Sequence, residues 1–356
     1  MTRSIQLDGY VARIAAGLLD DSGVIIRQES PAHRYAIITD DVVGPLYAPR
    51  IAAAIGSHLC SILTVAAGET HKTRETWAHL TDALVEQGHG RDTVIVAMGG
   101  GVVGDLAGFV AATFMRGVPY VNVPTTLLAM VDAAIGGKTG VDTKDGKNLV
   151  GAFKRPAAVI VDPLVLQTLP EWHLRSGIVE ALKHGVVFDA GYFDLVARYS
   201  AGDRGQPDEL FELIAGSIAI KGDIVRRDEL EQGRRKILNF GHTLGHAIEF
   251  ESSYRLSHGE AIAIGMVLEA EIAERGGIAR PGTASVIRAA LGGAGLPVAR
   301  PAALDSQALL AATRLDKKAR RGVVEYALPQ RVGEMAGADS GWAIPVSDAA
   351  VLDVLR

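Results

Sequence analysis

The stretch TVIVAMGGGVVGDLAGFVAATF (93–114) decides the fold. A short apolar run ends in three glycines at 99–101, and an apolar helical pattern follows over 106–114. Together they predict a strand, a tight turn and a helix. The glycines at 99, 101 and 104 fit the spacing G-x-G-x-x-G, which lets a backbone approach a pyrophosphate at a helix N-terminus. The motif predicts a nucleotide site, with a ligand-free turn as the alternative.

One part of the ordinary dinucleotide pattern is missing from this stretch. An acidic residue usually follows about 20 positions after the glycines and binds the ribose. Here that region reads GVPY (117–120). Contacts to an adenosine are therefore expected from elsewhere, such as Asp40 or Glu69.

Four further short apolar runs flank this stretch, at 35–39, 61–66, 120–123 and 158–161. A helical pattern lies between two of them, at 73–87. Short apolar strands that alternate with helices predict βαβ units and a parallel sheet. Such sheets bind ligands at the carboxyl ends of their strands, which is where Asp40 and the glycines fall.

After about Pro170 helical patterns dominate, at 171–187, 192–199, 208–228 and 260–275. We expect 277–301 to be a loosely packed connection and 322–328 to be a stray strand. The predicted fold is an α/β N-terminal Rossmann-like parallel-sheet domain (1–165) followed by an all-α C-terminal metal-binding domain (166–356).

Composition excludes several classes of protein. With 36 basic and 41 acidic residues the net charge is −5, so there is no basic excess for general nucleic-acid binding. The single cysteine, Cys60, allows neither an intrachain disulfide nor a thiolate metal cage, which fits a reducing compartment. No apolar run approaches the roughly 18 residues that a membrane span needs, and the N-terminus lacks an apolar signal core. We expect a cytoplasmic protein without nucleic-acid or membrane partners.

Histidines cluster in one segment. His242 and His246 are four residues apart and share a helix face, and His258 follows at the start of the next helix. Glu180 lies on an earlier predicted helix. Two histidines and a carboxylate are typical ligands of a catalytic zinc ion with an open position. The alternative is that these histidines satisfy polar groups of the core.

Lysines occur in glycine-rich turns, at Lys138 in GGKTG (136–140) and Lys147 in DGKN (145–148). In an acidic chain, such local basic groups are what could hold an anionic ligand. A P-loop is excluded, because G-x-x-x-x-G-K-[ST] needs glycine where Asp132 stands.

Long segments of this chain resemble 3-dehydroquinate synthases, a family of the sugar phosphate cyclases. The matching segments follow the family's order from about residue 35 to 335: GGGVVGDLAGFVAATFMRG (99–117), VPTTLLAMVDAAIGGKTGVDTKDGKNLVGAF (123–153), LPEWHLRSGIVEALKHG (169–185), LNFGHTLGHAIE (238–249) and SHGEAIAIGM (257–266). Weaker matches are AGETHKT (67–73) and LDKKARRG (315–322).

The resemblance implies a residue for each role at the matching positions. It implies Glu180, His242 and His258 as ligands of a divalent metal, Zn²⁺ or Co²⁺. It implies NAD contacts from Asp40, Glu69, Lys72, Gly100, Gly101, Val102, Val103, Gly104, Asp105, Thr125, Thr126, Lys138, Lys147, Val165, Leu166, Gln167 and Thr168. It implies substrate contacts from Arg116, Asp132, Lys138, Asn148, Lys183, Lys221, Arg235, Asn239, His246, Lys317 and Lys318. A homodimer is also implied.

The resemblance further implies a carbon–oxygen lyase of the shikimate pathway that acts on 3-deoxy-D-arabino-heptulosonate 7-phosphate. In that family NAD oxidises the C5 hydroxyl, phosphate is eliminated, the NADH returns its hydride, and an intramolecular aldol closure gives 3-dehydroquinate. The metal would polarise the C4 and C5 hydroxyls as a Lewis acid. His246 is the candidate for proton transfer at C5, because an imidazole titrates near neutrality.

Two positions depart from the family pattern. Asp142 stands where asparagine is common, and Lys154-Arg155 stands where histidine or glutamine usually precedes the proline. The alternatives are a sister cyclase, such as 2-epi-5-epi-valiolone synthase or 2-deoxy-scyllo-inosose synthase, a glycerol-type metal-dependent dehydrogenase, and an inactive relative with a binding role. Asn239 and the Asp316-Lys317-Lys318 motif favour the dehydroquinate form.

Overall fold

The computed structural model describes residues 1–144, 146–202, 207–314 and 324–356. The chain divides into two compact units, Met1–Pro170 and Glu171–Arg356. Within the described ranges, no helix combines the length and the apolar character that a membrane crossing requires.

A seven-stranded sheet forms the centre of the first unit. Its strands are β1 (Thr2–Gln6), β2 (Val11–Ala15), β3 (Arg34–Asp40), β4 (Cys60–Val65), β5 (Thr93–Gly99), β6 (Tyr120–Pro124) and β9 (Ala158–Val161). Its helices are α1 (Leu18–Glu29), α2 (Gly44–Ile55), α3 (Arg74–Glu86) and α4 (Gly101–Thr113). The strand order is β1-β2-β9-β6-β5-β3-β4, and only the β1–β2 pair is antiparallel.

The five strands expected from apolar runs are β3, β4, β5, β6 and β9. Every residue of β5 is buried, which explains its uninterrupted apolar pattern. Strands β1 and β2 were not predicted from the sequence. Strand β1 lies at the sheet edge with four of its five residues exposed, so it carries polar side chains such as Arg3 and Gln6.

Helix α4 begins at Gly101, earlier than the helical pattern at 106–114 suggested. Its interior glycines allow close packing rather than breaking the helix. A Cβ on Gly104 would lie 3.2 Å from Asn122 Nδ2, and one on Gly108 would lie 2.4 Å from Thr139 Cγ2. Gly104 therefore lets the start of α4 pack on β6, and Gly108 lets its middle pack on the neighbouring hairpin.

That hairpin pairs β7 (Lys138–Thr143) with β8 (Gly146–Phe153) outside the main sheet. Gly140 and Gly151 face each other across it, and a Cβ on Gly151 would lie 2.2 Å from the carbonyl oxygen of Thr139. The hairpin places Lys138, Lys147 and Asn148 in the first unit.

The second unit is mainly helical. Its helices are α5 (Glu171–Phe188), α6 (Ala190–Ala201), α7 (Pro207–Arg227), α8 (His242–Glu251), α9 (His258–Arg275), α10 (Thr283–Gly293), α11 (Ser306–Thr313) and α12 (Asp348–Leu355). Two short ladders, which the sequence did not indicate as pairs, join β10 (Glu325–Tyr326) to β13 (Ile344–Pro345) and β11 (Pro329–Arg331) to β12 (Glu334–Met335).

The expectation of a loose connection at 277–301 was wrong. Helix α10 occupies the middle of that segment and buries Ile287 and Leu291. Prolines 281 and 297 and several glycines suggested a loop, but they flank the helix or lie at its end. The stray strand expected at 322–328 contains β10, and residues 322 and 323 lie outside the described residues.

Candidate metal centre and nucleotide site

Helix α5 buries two charged side chains on successive turns. Glu180 and Lys183 are each 2% exposed, and Lys183 Nζ forms an ion pair with Glu180 Oε2. Isolated charges are costly to bury, whereas a hydrogen-bonded pair is tolerated. Lys183 therefore compensates the negative charge at Oε2 of Glu180, while Oε1 lies on the side of the histidines.

Helices α8 and α9 supply the histidines. Helix α8 begins at His242, directly after Gly241 in the left-handed conformation (φ 78°). Helix α9 begins at His258 because Ser257 and Glu260 form a reciprocal capping box there. Both histidines therefore lie in the first turn of a helix, where the local sequence fixes the backbone.

The three predicted ligands meet at one point. His242 Nε2 lies 3.5 Å from Glu180 Oε1, and His258 Nε2 lies 3.7 Å from the same oxygen. One ligand atom from each residue falls within 4.8 Å of the others. Two donors bound at ~2.1 Å to one tetrahedral zinc ion are ~3.4 Å apart. The donor set and its spacing therefore fit a divalent metal ion.

The second ring nitrogen of each histidine has its own partner. His242 Nδ1 lies 3.1 Å from the carbonyl oxygen of Phe240, and His258 Nδ1 lies 3.5 Å from Glu249 Oε2. A carbonyl oxygen only accepts, so the first contact requires a proton on His242 Nδ1 and leaves the Nε2 lone pair for a metal. These outer partners turn both Nε2 atoms towards Glu180.

The electrostatic surroundings of the two histidines differ. Burial, helped by the charge of Lys183, holds the pKa of His242 well below its usual range. Burial also disfavours the charged form of His258, but hydrogen bonds and charge interactions with Glu180 and Glu249 raise its pKa to about 9. The two carboxylates thus favour positive charge near His258.

Helices α8 and α9 touch through glycines. A Cβ on Gly265 would lie 2.1 Å from the carbonyl oxygen of Gly241, and one on Gly245 would lie 2.6 Å from Ile262 Cδ1. Real Cβ atoms do not approach backbone this closely. Small residues at the crossing therefore set the distance between the helices that bear the histidines.

We expect Gly265→Ala to destabilise the protein by about 2–3 kcal/mol, since the new methyl group must push α8 away from α9. Gly292→Ala in α10 is the matched control. A Cβ on Gly292 would have Val298 Cγ1, at 4.0 Å, as its nearest neighbour outside the helix backbone. That control should be neutral or stabilising by up to ~1 kcal/mol. Urea unfolding of both variants measures the difference, and equal stabilities would contradict the close crossing.

The predicted substrate residues of the second unit are largely buried. Lys221 on α7 is 7% exposed, and Arg235 is 2% exposed in a short 3₁₀ turn. Arg235 Nη1 donates to the carbonyl oxygen of Glu229, and Asn239 Nδ2 donates to Glu231 Oε1 at 2.6 Å. His246 is exposed, and its ring centroid lies 5.3 Å from that of His242. Lys317 and Lys318 lie outside the described residues.

In the first unit, predicted NAD residues converge on Lys72. Its Nζ lies 2.9 Å from Glu69 Oε1 and 3.3 Å from Asp105 Oδ2. It also donates to Asn148 Oδ1 at 2.9 Å and lies 3.7 Å from Asp142 Oδ1. The buried ammonium group thus links the segment before α3, the start of α4 and the β7–β8 hairpin.

Charges within this Lys72 cluster shift one another's pKa values. Burial alone would lower the pKa of Lys72, but Asp105, Glu69 and Asp142 raise it above its usual range. Burial favours the neutral form of Glu69, yet Lys72 and Lys147 lower its pKa on balance. Burial raises the pKa of Asp142. Lys72 is therefore held as a cation by the surrounding carboxylates.

The glycine turn lies where β5 ends and α4 begins. Gly100 is the N-cap of α4 and has no side chain to cap it, so the N–H groups of 101–103 face outward from the first turn. Thr125 and Thr126 follow the adjacent strand β6, and a Cβ on Gly100 would lie 3.1 Å from Thr126 Cγ2. A backbone cradle of this kind fits a pyrophosphate.

Other predicted NAD contacts lie near α2. Asp40 ends β3, where its Oδ1 accepts the N–H groups of Val42 and Val43 and so begins the turn into α2. Thr168 ends the 3₁₀ turn that contains Val165, Leu166 and Gln167, and its hydroxyl lies 2.8 Å from Tyr47 Oη of α2. Asp40 and the 3₁₀ turn that ends at Thr168 therefore both lie next to α2.

Two predicted substrate residues of this unit are exposed. Arg116 lies beyond the C-terminal end of α4, whose 13 residues put it roughly 20 Å from the glycine turn. Lys138 is the exposed first residue of β7, and Asp132 lies in the π-helical turn Ala129–Ala133. The contact of Arg116 with the substrate stays a prediction.

Comparison with known proteins gives both units a family. A model of the 3-dehydroquinate synthase N-terminal domain matches residues 62–176, and one of the C-terminal domain matches 177–319. The chain belongs to the 3-dehydroquinate synthase family. A 3-dehydroquinate synthase of Xanthomonas campestris pv. campestris (strain 8004) is 44% identical over 368 residues, which cover 99% of this chain and 98% of that protein. The resemblance found in the sequence is confirmed.

Solved structures of this superfamily share the fold. A 2-deoxy-scyllo-inosose synthase crystallised with carbaglucose-6-phosphate, NAD⁺ and Co²⁺ superposes with a TM-score of 0.89 at 29% identity, covering 100% of this chain and 99% of that one. ValA, the 2-epi-5-epi-valiolone synthase of Streptomyces hygroscopicus subsp. jinggangensis 5008 with NAD⁺ and Zn²⁺ bound, gives 0.86 at 27%, covering 100% and 98%. The predicted fold class is confirmed.

Sequence reasoning missed the residues that support the site. Glu249 follows His246 by three residues on the same helix, so helical spacing could have identified it. Glu269 lies within the apolar helix α9 and is 0% exposed, but nothing in its local pattern names its partner. Asp142 was noted only as a departure from the family pattern.

Proposed function

We propose that this protein is a 3-dehydroquinate synthase, a lyase that converts 3-deoxy-D-arabino-heptulosonate 7-phosphate into 3-dehydroquinate and phosphate. Family membership over both units supports this activity. The observation that carries it is the convergence of Glu180, His242 and His258, whose donor atoms lie within 4.8 Å of one another. An inactive relative would have no need to keep this set together.

When bound, NAD supplies a transient hydride acceptor and a divalent metal supplies a Lewis acid for the substrate hydroxyls. Glu180, His242 and His258 hold the metal in this proposal, and Zn²⁺ is the expected ion because two imidazoles and a carboxylate suit it. In the first unit, the glycine turn holds the pyrophosphate of NAD at the N-terminus of α4. The remaining NAD contacts are assigned as the family resemblance implies.

Buried cations of the second unit suit an anionic substrate. Lys183, Lys221 and Arg235 are each at most 7% exposed, in a chain whose net charge is −5. Buried ionisable groups cluster at functional sites, and Lys183 already lies beside the proposed metal ligands through its ion pair with Glu180. We assign these cations, together with Arg116, Lys138 and Lys317 or Lys318, to the carboxylate and phosphate of the substrate. Asp132, Asn148 and Asn239 are assigned to its other polar groups.

His246 is assigned to proton transfer at C5 of the substrate. It stands beside both ligand histidines, with ring centroids 5.3 Å from His242 and 5.9 Å from His258. Unlike them it is exposed, so a bound substrate can reach it. An imidazole at this position can accept the proton of a metal-polarised hydroxyl and return it later.

Three further parts of the proposal rest on the resemblance. The protein acts as a homodimer, and it works in the cytoplasm. The domain predicted at 1–165 binds NAD, and the domain predicted at 166–356 binds the metal and the substrate. The single cysteine supports a reducing compartment. Analytical ultracentrifugation of the purified protein tests the dimer.

A sister cyclase is the second candidate, because the two solved structures named above are such enzymes. The higher sequence identity to the dehydroquinate form favours the first proposal. A phosphate-release assay with NAD and Zn²⁺ separates the two on three substrates. We expect rapid release from 3-deoxy-D-arabino-heptulosonate 7-phosphate and none from sedoheptulose 7-phosphate or glucose 6-phosphate. Release from either of the latter alone would assign the chain to a sister cyclase.

A further inference from the structure

The first turn of α8 rests on a carboxylate from α9. Glu269 is 0% exposed. Its Oε2 accepts the N–H of Gly241 at 2.7 Å, and its Oε1 accepts the N–H of Leu244 at 3.0 Å. Gly241 is the N-cap of α8 and cannot cap the helix with a side chain. Glu269 therefore satisfies two of the N–H groups that a helix leaves unpaired at its start.

The first of these hydrogen bonds reaches His242 through a single peptide group. The N–H of Gly241 and the carbonyl of Phe240 belong to the same planar peptide unit. Glu269 holds the N–H end of that unit, and His242 Nδ1 donates to its carbonyl end at 3.1 Å. The orientation of this peptide plane thus fixes which nitrogen of His242 carries the proton and where Nε2 points.

Glu269 also couples the two ligand-bearing helices. It lies three turns along α9 from His258, which is the first residue of that helix. A carboxylate on the helix of one ligand therefore clamps the start of the helix that bears the other. Both hydrogen bonds are buried, so water does not compete for them.

We propose that Glu269 is a positioning residue of the metal centre, acting on His242 through the Phe240–Gly241 peptide. This inference rests on the metal site proposed above. Partners outside the ligand sphere typically change metal affinity 10–100-fold when they are replaced. Glu269 is not one of the three proposed ligands. If it positions His242, its replacement should weaken metal affinity and not only folding.

The test compares two carboxylates of α9. Glu269→Gln leaves one acceptor oxygen and turns an NH₂ group towards the second N–H, so it breaks the paired contact. Glu274→Gln is the control, because Glu274 Oε1 accepts the N–H of Ala284 at the start of α10, which bears none of the three proposed ligands. The dissociation constant for Zn²⁺ is measured on each apo-protein by competition with a chromophoric chelator.

We expect Glu269→Gln to bind Zn²⁺ at least ~10-fold more weakly than the wild type, and Glu274→Gln to stay within ~3-fold. A Glu269→Gln protein with a lowered melting temperature but wild-type affinity for Zn²⁺ would show that Glu269 only caps helix α8. That result would overturn the inference. If Glu269→Gln does not fold, Glu269→Asp decides, since its shorter carboxylate must also weaken Zn²⁺ binding. A wild-type protein that binds no Zn²⁺ would instead refute the metal site itself.

Discussion

Replacing His242 by alanine should abolish turnover and remove most of the bound metal while NAD binding is retained. Glu180 Oε1, His242 Nε2 and His258 Nε2 are the three proposed metal donors, and the two that remain hold a divalent ion far less tightly. Loss of Lewis-acid assistance worth several kcal/mol corresponds to at least ~10³-fold in kcat/KM. The glycine turn lies in the other unit, so NAD affinity should change little.

Metal content by atomic absorption, NAD binding by calorimetry and phosphate release together measure this result. His173→Ala is the control, because His173 lies on α5 and stacks on Trp172 rather than at the ligand cluster. It should keep the metal and its activity. A His242→Ala protein with full metal content and activity would show that the ligand assignment is wrong.

Lys72→Met should destabilise the protein and abolish NAD binding. The ammonium group is the shared partner of Glu69, Asp105 and Asp142, and its removal leaves three carboxylates facing one another. Breaking a buried ion pair on one side costs about 3–5 kcal/mol. We expect about 3 kcal/mol, since water reaches the Glu69 side chain, which is 39% exposed.

The effect of Lys72→Met should depend on pH. The folded pKa of Lys72 is raised, so its contribution is complete at neutral pH and is lost only as pH rises through that raised value. The pKa of Glu69 is lowered in the folded protein, so its ionised carboxylate contributes fully to the free energy of unfolding above about pH 4.5. That contribution is lost as the pH falls further. The difference in the free energy of unfolding between the wild type and Lys72→Met should therefore be smaller at acidic pH than at pH 7.

Urea unfolding at pH 7 and pH 4 measures the loss of stability and its pH dependence, and calorimetry measures NAD binding. Lys144→Met is the control, because Lys144 is an exposed lysine in the same hairpin region. It should change stability by less than about 0.5 kcal/mol at either pH. A Lys72→Met protein as stable as this control would show that the Lys72 cluster does not hold the α3, α4 and hairpin segments together.

The sequence predicted those elements whose burial leaves a regular apolar pattern. Strand β5 is buried throughout and α9 buries most of its length, so both are visible as patterns. Strand β1 is an exposed edge strand, so it has no apolar pattern. Helix α10 ends in two glycines and lies between prolines, so its sequence suggested a loop. These elements are held by their neighbours in space, which a single sequence does not display.

The same distinction applies to the site. Sequence spacing pointed to His242, His246 and His258, and Glu180 on an earlier predicted helix supplied the carboxylate of a typical ligand set. The family resemblance then implied Glu180, His242 and His258 as the ligands. Glu269 could not be foreseen, because it reaches the start of α8 from 25 residues further along the chain. The junction of Lys72 with the hairpin is equally non-local, since its partner Asn148 is 76 residues away.

The most direct test of the cyclase reaction is the ratio of phosphate released to NADH formed. Purified protein is supplied with 3-deoxy-D-arabino-heptulosonate 7-phosphate, Zn²⁺ and NAD in less than stoichiometric amount. The account predicts many phosphates per NAD, no accumulation of NADH at any time, and complete loss of release with a chelator. NADH that accumulates in step with substrate consumption, or release that survives the chelator, would contradict it.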